Sequence, residues 1–423
     1  MNFEAAVQYL LSLGHETLTI KLGLRNTELL LNALDNPERA FPSVQIAGTN
    51  GKGSTAAMLD SICRAAGIKT GLYTSPHLVS ITERIKVSGT DITPEEFAAC
   101  TTTVRDASER LEALPTFFEQ VTAIALLAFR NAAIDLAILE TGLGGRLDST
   151  TAANANIVAI TQIALDHQEY LGNTIASIAA EKAAIIRSGV RAVIGRQEYR
   201  EALDVLLQRC EETGVTPILV DSITEPITLA LRGRHQLENA AVAIHLAELL
   251  RQTRFDIPDA AIVRGLETVQ HPARLEFIPH RPAFLIDGAH NPAGAESLRA
   301  YLDEFARRPL TLVFGAMRDK QLEQISEILF PLADLLVLTT VRNPRSATVE
   351  MLEPTACRYA RSRILTTDDS AAALQMALAH TPADGMICVT GSLYLAGELR
   401  PEIIHLQEDK HEYATQRVTK DTK

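Results

Sequence analysis

The segment Gly48-Thr49-Asn50-Gly51-Lys52-Gly53-Ser54 packs three glycines, one lysine and three hydrogen-bonding side chains into seven positions. Glycines let successive backbone N–H groups curl around phosphate oxygens, and a helix N-terminus behind them adds partial positive charge. A lysine in the place of Lys52 reaches the β- and γ-phosphates of a nucleotide. A glycine-rich turn with a surface lysine is the plain alternative, and the flanking sequence argues against it. An apolar run over 43–47 precedes the loop, and a helical pattern through Ala56, Leu59, Ile62 and Ala66 follows it. The loop departs from the common P-loop in two places. Ile46 stands where a first glycine is usual, and Gly53 follows the lysine where a Ser or Thr normally ligates magnesium. Another residue must complete the metal's ligand set.

Magnesium prefers oxygen donors and keeps several waters, so one carboxylate and one hydroxyl near the phosphates suffice. Glu140 ends an apolar run over 135–139 and opens Thr141-Gly142-Leu143-Gly144-Gly145-Arg146. Ligands of open α/β folds bind at such carboxyl edges. Ser75 follows another strand pattern, in Thr74-Ser75-Pro76-His77, and alone reads as a turn serine. A single histidine such as His167, in Leu165-Asp166-His167, is by itself usually structural. Lys182, beside Glu181 in a helical pattern, reads on its own as half of a solvated charge pair.

The elements that must position these residues alternate. Strand patterns at 43–47, 70–73, 135–139, 157–161, 191–194 and 217–220 are interleaved with helical ones at 120–130, 178–186 and 201–210. The alternation restarts near Phe284, with strands at 284–286, 310–314, 335–339 and 386–389 and helices at 296–305, 322–329 and 371–378. This is the pattern of α/β domains with mainly parallel sheets. The turn-rich Ile278-Pro279-His280-Arg281-Pro282 separates the series, giving an expected division into 1–279 and 280–423. The polar stretch from Gln407 is expected to fray.

A length of 423 residues calls for two cores. Net charge -12 disfavours nucleic acid and anionic membrane as partners. No apolar run reaches membrane-spanning length, and the first residues lack the basic start and apolar stretch of a signal peptide. The five cysteines form no CxxC, which fits free thiols in a cytoplasmic protein rather than a zinc site.

The ordered motifs GTNGKGS, TSPHL, ETGLGGRLDST, LDHQEYLG, EKAAIIRSG, GRHQLENAA, HPARLE, DGAHNP and TGSLYLAGE closely resemble folylpolyglutamate synthase/dihydrofolate synthase of the Mur ligase superfamily. The resemblance runs from about Lys21 to Glu398. It implies a P-loop ATPase domain followed by a smaller Rossmann-like domain, with ATP and magnesium as cofactors. It assigns the phosphate loop, Gly48, Thr49, Asn50, Gly51, Lys52, Gly53 and Ser54, to ATP, and makes Ser75, Glu140 and His167 the metal ligands. Lys182 matches the family's carbamylated lysine, replacing its bland reading. Asn239, Arg274 and Asp287 match ATP contacts, and His290 a residue beside the nucleotide or transferred phosphate. Lys21, Leu22, Gly23 and Leu24, then Thr116, Phe117, Phe118 and Glu119, then Leu147, Asp148 and Ser149 match segments that hold dihydropteroate. Three positions depart from the family: Ser149-Thr150-Thr151 where LDATN is usual, Ala184 in place of Gly, and Ala273 where PGR is usual.

The implied reaction joins L-glutamate to dihydropteroate or reduced folates through an acyl phosphate, in a monomer acting on small molecules. Another amino-acid ligase of the superfamily is the nearest rival, disfavoured by TSPHL and LGGRLD. A non-ligase P-loop ATPase would leave Lys182, Arg274 and His290 without a role.

Overall fold

The computed structural model describes residues 1–14, 23–223 and 227–420. They form two compact units, Met1–Ala230 with Gln236–Gln270, and Leu231–His235 with His271–Lys423.

The first unit contains helices α1 (Phe3–Ser12) and α2 (Arg25–Ala33), then strand β1 (Ser43–Ala47), α3 (Lys52–Ala65), β2 (Thr70–Tyr73), β3 (Ile85–Val87) and β4 (Thr90–Asp91). There follow α4 (Pro94–Ser108), α5 (Phe117–Asn131), β5 (Leu136–Glu140), β6 (Ile157–Ile160), α6 (Gln168–Leu171), α7 (Ile175–Ala183), β7 (Arg191–Ile194), α8 (Arg200–Thr213), β8 (Ile218–Leu219), α9 (His235–Arg251) and α10 (Asp259–Thr268). The sheet order is β4-β3-β2-β5-β1-β6-β7-β8. From β2 to β8 every pairing is parallel, and β3 and β4 add an antiparallel edge.

Every residue of β1, β5 and β6 is buried, as expected of central parallel strands covered on both faces. That is why β6 reads as an unbroken apolar run, Ile157-Val158-Ala159-Ile160, and β5 as one up to Glu140. Helix α3 packs on β1, β2 and β5, and α10 packs on α3. Helix α5 presents Val121, Ile124, Ala125 and Phe129 to a core shared with α4 and α2. Its start is fixed by a capping box: Thr116 Oγ1 accepts the Glu119 amide at 3.4 Å, and Glu119 Oε2 accepts the Thr116 amide at 2.6 Å.

The second unit contains β9 (Glu276–Ile278), β10 (Ala283–Ile286), α11 (Pro292–Phe305), β11 (Leu310–Phe314), α12 (Leu322–Leu329), β12 (Leu335–Thr339), α13 (Val349–Tyr359), β13 (Arg363–Thr367), α14 (Ser370–His380), β14 (Met386–Thr390) and α15 (Leu393–Lys420). Its sheet runs β13-β12-β11-β14-β10-β9, parallel except for the antiparallel β9. Leu285, Leu312, Phe314, Leu336 and Cys388 fill its core. The polar stretch expected to fray continues α15 as far as Lys420. The division expected at 279/280 falls in the turn between β9 and β10, which pair with each other, and the units part instead at Gln270/His271. The turn-rich segment is a hairpin inside the second sheet.

Candidate active site

The phosphate loop leaves β1 and turns into α3 through two residues with positive φ, Gly48 at 147° and Gly51 at 88°. Both are glycine for steric reasons as well. A Cβ on Gly48 would lie 1.9 Å from Thr161 Oγ1, and one on Gly51 would lie 2.1 Å from Asn239 Oδ1. The loop is stapled to the segment after β6. Gln162 O accepts the amides of Thr49 at 2.8 Å and Asn50 at 3.2 Å. Thr49 Oγ1 also exchanges hydrogen bonds with the Ala164 backbone, both at 3.1 Å. Helix α9 closes the other side. Asn239 Nδ2 donates to Gln236 Oε1 at 2.9 Å, and Gln236 Nε2 donates to Ser54 Oγ at 3.3 Å.

Two lysines converge on one carbonyl of this loop. Lys52 Nζ donates to Gly48 O and Thr49 O, each at 3.1 Å. Lys182 Nζ donates to the same Gly48 O at 2.7 Å. Lys182 is only 4% exposed. Burial, followed by the nearby Lys52 cation, brings its pKa down to about 7, against the opposing pull of Asp166, Asp148 and Glu181. The solvated Glu181–Lys182 pair is therefore a misreading. Glu181 pairs instead with Arg146, whose Nη2 lies 2.9 Å away, while Lys182 turns inward to the phosphate loop.

The carboxyl ends of four adjacent strands carry the oxygen and nitrogen donors. Reading across the sheet, Ser75 follows β2, Glu140 ends β5, the phosphate loop follows β1, and His167 follows β6. Ser75 and Glu140 meet: the Ser75 amide donates to Glu140 Oε2 at 3.2 Å, and Glu140 is buried. His167 adopts φ 50° at the start of α6, with its amide on Asp166 Oδ1 at 2.8 Å. No group of three His, Cys, Asp or Glu side chains among the described residues is gathered tightly enough to hold a metal unaided. A buried carboxylate beside a serine, at the edge that holds the phosphate loop, nevertheless suits a hard cation whose other ligands are waters and phosphate oxygens.

Of the segments matched to dihydropteroate binding, Lys21 and Leu22 lie outside the described residues. Gly23 and Leu24 precede α2, whose N-cap is Leu24. Phe118 lies against Gly142, and its ring centroid is 6.2 Å from that of Tyr73. Phe117 is buried under the Arg84 guanidinium, 5.6 Å from its ring. Glu119 spends one oxygen on the helix cap, while its buried Oε1 has no hydrogen-bond partner among the described residues. Asp148 serves the fold: Oδ2 accepts the Gly142 and Leu143 amides at 2.9 and 2.8 Å, and Oδ1 accepts Thr150 N at 3.0 Å. Burial raises its pKa, and these hydrogen bonds oppose the rise. Ser149 Oγ is 3.3 Å from Thr27 Oγ1, and Leu147 is half-buried beside them in the chain.

In the second unit, Asp287 follows β10 and is buried. Its oxygens accept the amides of Leu275 and Ala289, each at 2.9 Å. Burial raises its carboxyl pKa, opposed first by the Arg274 guanidinium. A Cβ on Gly288 would lie 3.1 Å from Arg274 Nη1, so the arginine, aspartate and glycine turn form one cluster. His290 Nδ1 lies 2.7 Å from Gly288 O, which makes Nδ1 the protonated nitrogen. Asn291 then caps α11, its Oδ1 accepting Gly294 N at 2.8 Å.

Gln236 and Asp166 are the polar residues at this site that the sequence reading passed over. Gln236 stands three positions before Asn239, the spacing that places two side chains on one helix face, and that signal was available. Asp166 is legible only through its burial next to the loop that carries His167.

A phosphate loop at the carboxyl edge of one parallel sheet, with a second parallel sheet behind it in the chain, is the architecture of Mur ligases. The Mur ligase middle domain matches residues 46–201, and the Mur ligase glutamate ligase domain matches residues 273–393. The dihydrofolate synthase/folylpolyglutamate synthase of Bacillus subtilis is 32% identical over 91% of this chain and 95% of its own length. A crystal structure of a bifunctional folylpolyglutamate synthase/dihydrofolate synthase, with Mn, AMPPNP and L-glutamate bound, superposes with TM-score 0.83. It is 28% identical, covering 95% of this chain and 98% of that one. This chain belongs to the folylpolyglutamate synthase/dihydrofolate synthase family. A probable bifunctional folylpolyglutamate synthase/dihydropteroate synthase of Haloferax volcanii is 34% identical over 95% of the chain, which spans about half of that protein's length (50%).

Proposed function

We propose that this chain is an ADP-forming ligase that joins L-glutamate to dihydropteroate and to reduced folates, using ATP and magnesium. The observation that carries the reading is the convergence of Lys52 and Lys182 on Gly48 O, beside Glu140 and Ser75. That cluster places two lysine side chains and a metal-suited pair around one phosphate loop. The relatives' names supply the substrate class.

In the first step a carboxylate oxygen of the acceptor attacks the γ-phosphorus of ATP. The bond to the β–γ bridging oxygen breaks, giving an acyl phosphate and ADP. Lys52 exchanges a backbone carbonyl for a phosphate oxygen and spreads the charge of the transferring group. In the second step the glutamate amine attacks the acyl carbon, the C–O bond to phosphate breaks, and the amine loses a proton. Bound magnesium, held by Ser75, Glu140 and His167, would neutralise phosphate charge. Asn239 in the first unit and Arg274 and Asp287 in the second take the ATP-binding roles, and His290 a role toward the nucleotide or the transferred phosphate, that the family resemblance implies. The pterin end belongs to Gly23, Leu24, Phe117, Phe118 and the unpartnered oxygen of Glu119, an acceptor suited to a ring N–H.

Lys182 is the residue that becomes carbamylated. A pKa near 7 leaves much of its amine neutral and nucleophilic toward carbon dioxide at physiological pH, which an ordinary lysine near 10.5 does not offer. The resulting anion also removes the repulsion from Lys52.

No helix among the described residues is long and apolar enough to cross a membrane, and all five cysteines are free. Free thiols fit a reducing cytoplasm, and the proposed enzyme is a monomer acting on small molecules. The test is ADP release measured with each acceptor in the presence and absence of glutamate. ADP release indifferent to both acceptor and glutamate would sink the ligase reading.

A further inference from the structure

We propose that Glu83 and Arg84, neither of which belongs to the ligand-binding set above, are positioning residues that hold the Ser75 loop in its metal-binding conformation. The loop, residues 74–80, joins β2 to the turn Ile81–Arg84 and so to the antiparallel β3. It is held at both ends and in the middle. The Thr74 amide donates to Arg84 O at 3.0 Å, extending the β2–β3 ladder by one step. The Glu83 carboxylate accepts three consecutive backbone amides, Leu78 at 2.8 Å, Val79 at 3.1 Å and Ser80 at 2.9 Å. A carboxylate that gathers successive amides this way acts as a charge-assisted clamp.

Arg84 fixes the remaining segment from beneath. It is 1% exposed, an unusual state for a guanidinium, and its plane lies over the Phe117 ring. Its Nε donates to His77 Nδ1 at 2.8 Å. Arginine only donates, so Nδ1 is the acceptor and the ring hydrogen of His77 sits on Nε2. Ser75 stands between the two attachments to Arg84, at Thr74 and at His77, with its amide on Glu140 Oε2 at 3.2 Å, and the Glu83 clamp holds the residues that follow His77. The backbone that places Ser75 against Glu140 is therefore held by two residues that themselves supply no ligand, as partners behind a metal site commonly do. A turn that merely linked β2 to β3 would need neither a buried arginine nor a carboxylate filled by three amides.

The inference rests on Ser75 being a metal ligand, so the experiment tests both. Binding of Mn2+ to the ADP complex of the full chain is measured by electron paramagnetic resonance for the parent protein, Ser75→Ala, Glu83→Gln and Arg84→Lys. Metal-free ADP affinity and melting temperature are recorded alongside. Glu83→Gln keeps the shape but loses the charge and part of the acceptor capacity. It is expected to weaken Mn2+ binding by about tenfold or more, with metal-free ADP affinity unchanged. Ser75→Ala is expected to do the same. Unaltered Mn2+ affinity in Glu83→Gln, with Ser75→Ala impaired, would overturn the positioning role and leave the ligand assignment standing. Unaltered affinity in Ser75→Ala would overturn the ligand assignment and the proposal with it. Arg84→Lys retains a cation without the Nε geometry, and its expected result is weakened Mn2+ binding. Should that buried substitution not fold, the half-buried Glu83→Gln decides.

Discussion

Lys182 is where charge, burial and chemistry pull hardest against one another. An ammonium 4% exposed and sharing Gly48 O with Lys52 is costly to keep charged. Its unfolded pKa is the ordinary 10.5 and its folded pKa is about 7. Between those values the unfolded chain binds more protons, so stability rises with pH. Below about 7 both states are protonated and the full penalty is present. Lys182→Met, which fills the same space without charge, is therefore expected to raise the melting temperature most below pH 7. Its advantage over the parent should shrink as pH climbs toward 10. The same variant should lose activity by at least about 100-fold, as expected when a group acting in the transition state is removed. Paired thermal melts and rate measurements across that pH range check both halves. A fully active Lys182→Met would return the lysine to a structural role.

At the scale of elements, the strand–loop–helix unit around Lys52 was legible because a buried parallel strand reads as an apolar run and its turn as glycines. The tight fit of that turn was not legible, since the partner of Gly51 is Asn239, far away in sequence. Gly51→Ala combines a positive φ with a side chain placed 2.1 Å from Asn239 Oδ1, and is expected to abolish ATP binding. Equilibrium titration with a fluorescent nucleotide checks this. Trimming the partner as well, in Gly51→Ala/Asn239→Ala, should restore little, because the φ strain remains. Short edges escaped sequence reading for another reason. β13, Arg-Ile-Leu-Thr-Thr, is half exposed and carries no clean alternation, and β3 and β4 are too short to have any. The Thr116–Glu119 motif resembles a substrate segment, yet it is also the cap of α5. Thr116→Ala should accordingly cost about 1 kcal/mol of stability from the lost cap, read as a lowered denaturant midpoint. A rise in KM for the pterin acceptor without that loss of stability would assign Thr116 to the substrate alone.

Over the whole molecule, the net charge of -12 sits awkwardly with the substrates of the proposed ligase, ATP, folate and glutamate, which are all anions. On that reading affinity comes from cations held at particular edges: Lys52 on the first unit's phosphate loop, and Arg274 beside Asp287 in the second. In the proposed reaction these groups address the phosphates and the reacting carboxylate, and none of them is assigned to the pterin. The same proposal leaves the pterin to Phe118, whose ring is tilted 46° against that of Tyr73, and to the buried Glu119 oxygen with no partner among the described residues. Dihydropteroate and a reduced folate share the pterin and the aminobenzoyl ring but offer their reacting carboxylate one glutamate apart. A site that holds the head with few polar contacts, and concentrates its charge at the reacting end, can admit both by letting the head shift. Both acceptors are therefore expected to support glutamate-dependent ADP release. Glu119→Gln, which changes the unused acceptor while keeping its size, should raise KM for dihydropteroate more than for tetrahydrofolate. That difference follows because the smaller acceptor has no glutamate tail to compensate for a weakened head contact. Parallel steady-state assays with the two acceptors decide the matter. Turnover of tetrahydrofolate with none of dihydropteroate would confine the enzyme to chain extension. Equal effects of Glu119→Gln on both would remove the pterin head from Glu119.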